Sequence, residues 1–389
     1  MQNPPRIAYI TGESPDDINA WSGTLYFLLQ GLEKAGCTVI KVGPGKPAFI
    51  HFIFSILNQV SLKIFGKRID YRHSRIYSKA YGKIFSKRLK RQKFDLVLAI
   101  GGSEFIAYLK TDKPMILVVD RTIGGAVNYH PILKNLWQWS QQQSLATDEL
   151  AMKRCALTIF ASDWARDAAI KEYGLEPGKA ITLPFGANLE KIPDASQIFE
   201  RCTDTETLKL LFIGRDWETK GGQKALECFH ALRSKGISAE LHIVGCAIPE
   251  GADRNGVTEH GFLNKNIPEQ LERISQLYLR SHIFILPTKF EAYGLVFVES
   301  AAFGLPSIAP KTGGVPTAMA DGRGGILMNE NATGEDYASE IIRLWQDKNL
   351  YRMQIEKTRN TFETGYNWDV WTGNFLNKTR TFYSPNNER

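Results

Sequence analysis

Short apolar runs alternate with amphipathic segments along the first half of the chain. The run "RIAYIT" precedes "GTLYFLLQGLEKAG", whose apolar residues recur at helical spacing, and "CTVIKVG" follows. Further apolar runs occur at "FDLVLAIGG", "PMILVVD" and "ALTIFAS", each next to a segment of helical spacing. Alternation of strands and helices predicts a parallel, doubly wound sheet.

The same alternation starts again at Leu208. The runs "LKLLFIG", "AELHIVG" and "IFILPT" indicate strands, and "GGQKALECFHALRSKG" and "IPEQLERISQLYLRSH" indicate the helices between them. The polar, turn-rich stretch "GANLEKIPDASQIFERCTDTET" before Leu208 predicts a linker. We therefore expect an N-terminal Rossmann-like domain over 1–190 and a second over 207–364. Ligands of such sheets bind at the carboxyl ends of the strands, so functional residues are expected there.

Composition narrows the class of protein. A chain of 389 residues can form two domains with substantial cores. The five cysteines are odd in number and lack zinc spacing, and the N-terminus has no signal-peptide pattern, so we expect reduced thiols and a cytoplasmic location. The net charge of +7 is modest for this length, and no nucleic-acid partner is expected.

The charge is unevenly placed. Between Lys63 and Lys93 there are twelve Lys and Arg residues and one acid, Asp70. The preceding run "AFIHFIFSILNQVSLKIF" is rich in aromatic and aliphatic residues, but its polar interruptions make a membrane-spanning helix an unfavoured interpretation. Two alternatives remain for 48–93. It is either a peripheral surface for an anionic membrane, or a helical excursion that packs its apolar face on its own sheet.

Two cations follow the strand "LLFIG". The segment "GRDWETKGG" lacks the spacing and the Ser or Thr of a P-loop, and no GxGxxG follows either first strand. A P-loop ATPase and a dinucleotide-dependent oxidoreductase are therefore disfavoured. Arg215 and Lys220 stand at a strand end before a helix, where two cations can neutralise a diphosphate; the alternative is a solvated surface pair.

The segment "KFEAYGLVFVESAAFGLPSIAPKTGGVP" carries two glutamates with seven residues between them. Gly294 permits a tight turn at the start of a helix, and the N–H groups of Tyr293, Gly294 and Leu295 can point at an anion or a hydroxyl oxygen. Glu291 precedes that helix and Glu299 lies inside it. A carboxylate can accept two hydrogen bonds from a vicinal diol, so the pair can hold two sugars on either side of a phosphate. The alternative is an amphipathic helix with two surface glutamates.

Four segments in order resemble the retaining GT-B glycosyltransferases of family four. They are "ASDWARDAAIKEYGLEPGKAITLPFGAN", "GRDWETKGG", "EAYGLVFVE" with its E-x7-E spacing, and "GLPSIAPKTGG". The resemblance covers nearly the whole chain. It implies an α/β, GT-B architecture of two doubly wound Rossmann-like domains facing each other across a cleft, with a C-terminal helix over 365–389 crossing back to the N-terminal domain.

The resemblance also implies residue roles. Arg215 and Lys220 would bind the donor diphosphate, Glu299 the ribose, and Glu291 with the amides of Tyr293 to Leu295 the transferred sugar. Gly23 matches the N-terminal glycine that lets a helix start approach the phosphates.

One position departs from the family pattern. At the end of "PMILVVD" the family usually has a His, and this chain has Asp120 followed by Arg121. Asp120 either contacts a sugar hydroxyl or the acceptor, or is held by Arg121 as a structural pair.

The implied reaction is hexosyl transfer from a nucleotide sugar to an acceptor hydroxyl with retention, without a cofactor or a metal. Lipid-linked acceptors are frequent among related enzymes, which adds weight to a location on the inner face of a membrane. The alternatives are a catalytically impaired nucleotide-sugar-binding protein of the same fold, and a GT-B phosphorylase or epimerase.

Overall fold

The structure, a computed structural model, describes residues 4–127, 129–201 and 206–383. The chain divides into two compact units, Met1–Pro184 with Trp368–Arg389, and Phe185–Asn367. Each unit contains a six-stranded parallel sheet with helices. The prediction of two α/β domains with doubly wound parallel sheets is confirmed.

The sheet of the first unit has the order β2-β1-β3-β4-β5-β6. Its strands are Arg6–Thr11 (β1), Thr38–Lys41 (β2), Leu96–Ile100 (β3), Met115–Val119 (β4), Leu157–Phe160 (β5) and Ala180–Thr182 (β6). Its helices are Thr24–Lys34 (α1), Ala48–Phe65 (α2), Arg75–Leu89 (α3), Ile123–Val127 (α4), Pro131–Lys134 (α5), Gln138–Arg154 (α6), Asp163–Tyr173 (α7) and, from the end of the chain, Trp368–Tyr383 (α15).

The sheet of the second unit has the order β12-β11-β10-β7-β8-β9. Its strands are Leu208–Ile213 (β7), Ala239–Val244 (β8), Val257–Glu259 (β9), Ile283–Ile285 (β10), Ser307–Pro310 (β11) and Gly325–Met328 (β12). Its helices are Ala195–Glu200 (α8), Gly222–Ser234 (α9), Pro268–Arg280 (α10), Leu295–Ala302 (α11), Val315–Ala318 (α12), Gly334–Gln346 (α13) and Lys348–Gly365 (α14). Short 3-10 turns occur at Ala20–Gly23, Ser103–Phe105, Pro177–Lys179 and Ala320–Gly322.

The central strands are apolar throughout because helices cover both faces of each sheet. Every residue of β3 and β4 is buried. Helix ends follow local chemistry. The side chain of Ser162 accepts a hydrogen bond from the amide of Ala165 at the start of α7, and Gly174 ends that helix with a positive φ of 62°.

The stretch expected to be a linker belongs to the second unit. It contains α8 and the buried Arg201, whose guanidinium donates to the carbonyls of Ser281 at 3.0 Å and Phe303 at 2.6 Å. A buried cation bonded to three carbonyls, with Ile198 as the third, fixes this stretch on the second unit. The first unit ends at Pro184, before the expected domain boundaries at 190 and 207. The polar stretch that suggested a linker includes Arg201, which binds it to the second unit. Residues 202–205 lie outside the described residues.

The C-terminal helix α15 packs within the first unit, against α1. A Cβ at Gly31 of α1 would lie 3.0 Å from Thr372, so the glycine allows the two helices to approach closely. Trp371 is 1% exposed and its indole N–H donates to the carbonyl of Leu183 at 3.3 Å. The chain returns to the first unit after Asn367, whereas 365 was the expected start of this segment.

Candidate functional site

The candidate donor site lies at the carboxyl ends of three neighbouring strands of the second unit, β7, β10 and β11. Backbone hydrogen bonds join the loops that follow them. The amide of Lys289 donates to the carbonyl of Thr219 at 2.8 Å, and the amide of Gly314 donates to the carbonyl of Glu291 at 3.0 Å. Three loops far apart in sequence therefore form one surface.

Lys220 and Glu291 meet at this surface. The Lys220 ammonium lies 2.5 Å from the Glu291 carboxylate, and their side chains are 25% and 15% exposed. Lys220 stands directly before Gly221, whose φ of 73° turns the chain into α9. A Cβ at Gly221 would lie 1.9 Å from the carbonyl oxygen of Pro287, so this close approach of the two loops requires glycine. Lys220, predicted to bind the donor diphosphate, and Glu291, predicted to hold the transferred sugar, are thus brought together.

Gly294 starts helix α11 as predicted, with a φ of 95°. A Cβ there would lie 2.5 Å from the ring of Phe297, so both the backbone angle and the space favour glycine. The first amides of an α-helix have no acceptor within the helix, which makes the start of α11 a place for an anion or a hydroxyl oxygen. The buried hydroxyl of Tyr293 donates to the carbonyl of Phe185 at 2.8 Å. Only the backbone amide of Tyr293 is therefore available to a ligand at the start of α11.

Glu299 is 3% exposed, so it is not a surface glutamate. One carboxylate oxygen lies 2.5 Å from the ammonium of Lys265, and the other accepts a hydrogen bond from the hydroxyl of Tyr278 at 3.2 Å. Burial, followed by the Glu299 charge, raises the pKa of Tyr278 well above its ordinary value, so this hydroxyl keeps its proton. Glu299 is therefore held in one orientation with part of its acceptor capacity unused.

Lys265, Tyr278 and Phe262 contact predicted site residues but were not themselves predicted from the sequence. Lys265 and Phe262 lie in the loop after β9, and Tyr278 lies in α10. The guanidinium of Arg215 lies over the ring of Phe262, 5.1 Å from its centroid. The sequence offers one weak indication of Phe262 and Lys265, namely that "GFLNKN" follows a strand.

The remaining predicted residues, Gly23 and Asp120, lie in the first unit. Gly23 starts α1 with a φ of 93°, after Trp21 at 46° and Ser22 at 57°. A left-handed backbone costs energy at a residue other than glycine, so these two residues mark a strained turn. Half-buried Asp120 directly follows β4. Among the described residues no ion pair joins it to Arg121, so nothing in the structure favours the structural-pair alternative.

Arg121 lines a cavity of about 340 Å³ in the first unit. The cavity lies at the carboxyl ends of β1 and β3 and is bounded by Trp21 of the strained turn. Its charged and titratable lining residues are Glu13, Lys46, His51, Arg72, Tyr77, Tyr81, Glu104 and Arg121.

His73 lies behind this cavity and bonds to two acids. Its Nδ1 lies 2.9 Å from Asp70 and its Nε2 lies 3.4 Å from Glu104. Burial would lower the pKa of His73, but the two carboxylates outweigh it and raise the pKa well above its ordinary value. Burial would likewise raise the pKa of Asp70, but the His73 charge and hydrogen bonds from His73 and Ser144 lower it to about 2. One charged His73 is shared by two carboxylates, so it does not cancel both of them. The cavity lining has three cations, Lys46, Arg72 and Arg121, against two glutamates, so cations are in excess.

Comparison with known proteins agrees with this architecture. Residues 195–361 match the family described as glycosyl transferases group 1. The D-inositol 3-phosphate glycosyltransferase of Nocardiopsis dassonvillei is 28% identical over 213 residues, which are 51% of this chain and 49% of that protein. The chain spans about half the length of the curated relatives it matches.

Solved structures match over almost the full chain at low identity. The sucrose-phosphate synthase of Thermosynechococcus elongatus has a TM-score of 0.67 at 14% identity, covering 98% of this chain and 99% of that one. Anabaena HepE, solved in complex with UDP and glucose, has a TM-score of 0.63 at 14% identity, covering 97% and 100%. The chain therefore has the GT-B fold, and its residues 195–361 are similar to group 1 glycosyl transferases.

Proposed function

We propose that this protein is a retaining glycosyltransferase that moves a sugar from a nucleoside diphosphate sugar to an acceptor hydroxyl. The observation that carries the proposal is the Lys220–Glu291 pair, 2.5 Å apart, beside the glycine-initiated start of α11 within a group 1 glycosyl transferase domain. A cation, a carboxylate and free helix amides together suit a phosphate next to a sugar. The UDP and glucose bound to HepE, a protein of the same fold, support this class of donor.

The donor roles follow from exposure and bonding. Arg215 is exposed at the end of β7, so its planar guanidinium can bind two phosphate oxygens. Lys220 has three N–H donors, so it can bind a phosphate oxygen while keeping its bond to Glu291. The Glu291 carboxylate, and the amides of Gly294 and Leu295, would then orient hydroxyls of the transferred sugar.

The chemical step breaks the bond between the anomeric carbon and the diphosphate oxygen. On the same face of the sugar, the acceptor oxygen bonds to the anomeric carbon and transfers its proton to the departing diphosphate oxygen. Charge grows on the diphosphate during this step, so Arg215, Lys220 and the start of α11 stabilise the transition state more than the ground state. This assignment requires neither a cofactor nor a metal ion.

The acceptor is assigned to the cavity of the first unit. Three cations, Lys46, Arg72 and Arg121, line it, against the two glutamates Glu13 and Glu104. An excess of cations in a cavity of about 340 Å³ favours a small anionic group, such as a phosphorylated polyol or a phosphate headgroup. The phosphorylated polyol in the name of the Nocardiopsis relative supports this class. Asp120, at the end of β4, would accept a hydrogen bond from the acceptor or from a sugar hydroxyl.

A second function rests on that same position. Asp120 stands where the family usually has a His. Loss of that His could remove transfer while the donor site is kept, and the protein would then bind nucleotide sugars without transferring them. Donor hydrolysis without acceptor, measured over a panel of nucleotide sugars, separates the two functions. Absence of transfer and hydrolysis, combined with nucleotide binding, would establish the binding protein.

The test of the proposed function begins with thermal unfolding in the presence of UDP, GDP and ADP. The nucleotide that binds the folded state raises the melting temperature, and its sugar conjugates are then assayed for transfer. Lys220→Met should abolish most of the transfer. Lys289→Met is a matched control, because this nearby lysine is 57% exposed and its ammonium lies 3.6 Å from the exposed Glu218. Equal activity of the two variants would refute the diphosphate assignment.

A further inference from the structure

Helix α2 presents its apolar side chains to solvent. Within Ala48–Phe65, all of which the structure describes, only Ser61 is buried. Phe49 is 76% exposed, Phe52 64% and Ile64 65%. Among the described residues this is the one helix long and apolar enough to cross a membrane. Because the helix is so little buried, it cannot be a core helix of the first unit.

Three polar residues of α2, His51, Asn58 and Ser61, face the protein instead. Nδ1 of His51 lies 2.9 Å from the hydroxyl of Tyr77, and the Asn58 side chain accepts from the amide of Ile69 at 2.7 Å. The Ser61 hydroxyl donates to the carbonyl of Lys67 at 2.8 Å and accepts from the indole of Trp137 at 2.7 Å. A helix in contact with water has the opposite arrangement, with its polar side outward. The side-chain bonds also hold α2 along the first unit.

Cations surround this apolar face. Lys46 precedes α2, and Lys63 and Lys67 lie at its end, all three exposed. The exposed side of α3 adds Lys79, Lys83, Lys87 and Arg88. The single acid of this region, Asp70, is bonded to His73 and does not offset the surface charge. A second copy of this chain, seated on α2, would bring the same cations into apposition, so charge disfavours a dimer through this face.

We propose that α2 is an in-plane membrane anchor that inserts its exposed apolar side chains into the interface of an anionic lipid bilayer. The helix is about 27 Å long, and Lys63 and Lys67 at its end can reach lipid phosphates while the aromatic rings enter the acyl region. A spanning orientation would break the hydrogen bonds of His51, Asn58 and Ser61, so the helix lies in the plane of the membrane surface. The anchoring is independent of glycosyl transfer.

The test is flotation of the full chain with phosphatidylcholine vesicles, with and without phosphatidylglycerol. Wild-type protein should float with the phosphatidylglycerol vesicles, and high salt should weaken this binding without abolishing it. The double variant Phe49→Ser/Phe52→Ser should bind at least ~10-fold more weakly, since two large apolar side chains no longer leave water. The variant should fold normally, because both side chains are exposed.

A matched control removes two exposed apolar side chains of the second unit. Ile192 is 46% exposed and Met353 is 64% exposed, so Ile192→Ser/Met353→Ser should bind vesicles like the wild type. The proposal is overturned if wild-type protein stays in the soluble fraction at low salt. It is also overturned if the double phenylalanine variant binds normally, since charge alone would then explain adsorption. A wild-type dimer that this variant converts to a monomer, without vesicle binding, would show that a second copy covers α2.

Discussion

Replacement of Glu299 by glutamine tests the ribose assignment. In the wild type, the carboxylate bonds to Lys265 at 2.5 Å and to Tyr278 at 3.2 Å. A carboxylate has about four lone-pair sites, so about two remain for the two hydroxyls of a ribose. The amide of glutamine has one acceptor oxygen, and that oxygen must also serve Lys265. The variant therefore loses at least one hydrogen bond to a charged acceptor.

The magnitude follows from that loss. A hydrogen bond to a charged group contributes about 1.5–3 kcal/mol, so affinity for the nucleoside diphosphate should fall about 10- to 100-fold. Stability should also fall, because the Lys265 ammonium loses its charged partner. The Lys265 side chain is 21% exposed and can turn toward water, so the loss belongs at the lower end of about 1–3 kcal/mol. An alanine substitution would leave both Lys265 and Tyr278 without an acceptor and would confuse binding with folding.

The assay is calorimetric titration of the nucleotide that gives the largest thermal shift, beside its 2′-deoxy and 3′-deoxy forms. Wild-type protein should lose affinity when a ribose hydroxyl is removed, and Glu299→Gln should lose much less, since the partner of that hydroxyl is already impaired. Glu291→Gln is the matched control and should keep the wild-type sensitivity to the missing hydroxyl. Equal losses for wild type and Glu299→Gln would refute the reasoning.

Three further predictions concern the phosphate site and the first unit. Arg215→Ala and Lys220→Ala should each reduce turnover well over tenfold, because one donor to a developing charge contributes about 3 kcal/mol, and EDTA should change turnover little. Near-normal turnover of both variants, or loss of activity in EDTA, would remove the proposed roles. Deletion of Trp368–Tyr383 should give insoluble or inactive protein, because this helix covers α1 and contributes buried aromatic residues to the first unit; a soluble, fully active truncation contradicts this. The charged His73 contributes stability that is complete below about pH 6.5 and is lost as pH rises through its raised pKa, by up to about 1.4 kcal/mol per pH unit. Urea unfolding should show this decline in wild type and not in His73→Gln, and equal slopes would contradict it.

The fold was predictable because each strand can be recognised from its own short stretch of sequence. A parallel strand covered on both faces must be apolar along its length, as in "LVLAI" over Leu96–Ile100, and periodicity then identifies the helices between strands. The linker was not predictable in the same way. Its polar residues resemble those of any loop, and only the position of Arg201 among distant carbonyls shows that the stretch packs on the second unit.

The site was predictable where backbone geometry dictates the residue. Gly294 is such a case, because its φ of 95° and its contact with Phe297 favour glycine, and the helix start then follows. The partners of the glutamates were not predictable. Lys265 lies 34 positions before Glu299 in a loop without a motif, and nothing local marks it as the residue that closes on a buried carboxylate.

The orientation of α2 was likewise not predictable from its own sequence, because it depends on contacts with residues outside the helix. His51, Asn58 and Lys63 stand in the sequence as interruptions of an apolar run. In the structure His51 and Asn58 bond to Tyr77 and Ile69, so these interruptions fix the helix and turn its apolar side outward. The expectation that the apolar face of the excursion packs on its own sheet is therefore wrong for α2, although it holds for α3, whose Tyr77, Tyr81, Phe85 and Leu89 are buried.

If the proposed function holds, the pairing of each glutamate with its own lysine would let this site accept a diphosphate without a further cation. Lys220 is offset by Glu291 and Lys265 by Glu299, so both carboxylates are oriented and neither leaves an uncompensated negative charge beside the ligand. Among the described residues no ion pair includes Arg215, whose guanidinium lies over Phe262. The positive charge available to a diphosphate therefore comes first from Arg215, with Lys220 adding hydrogen bonds and the start of α11 adding its amides. On this account Arg215→Ala should weaken nucleoside diphosphate binding more than Lys220→Ala does, since only Arg215 carries a charge that no carboxylate already offsets.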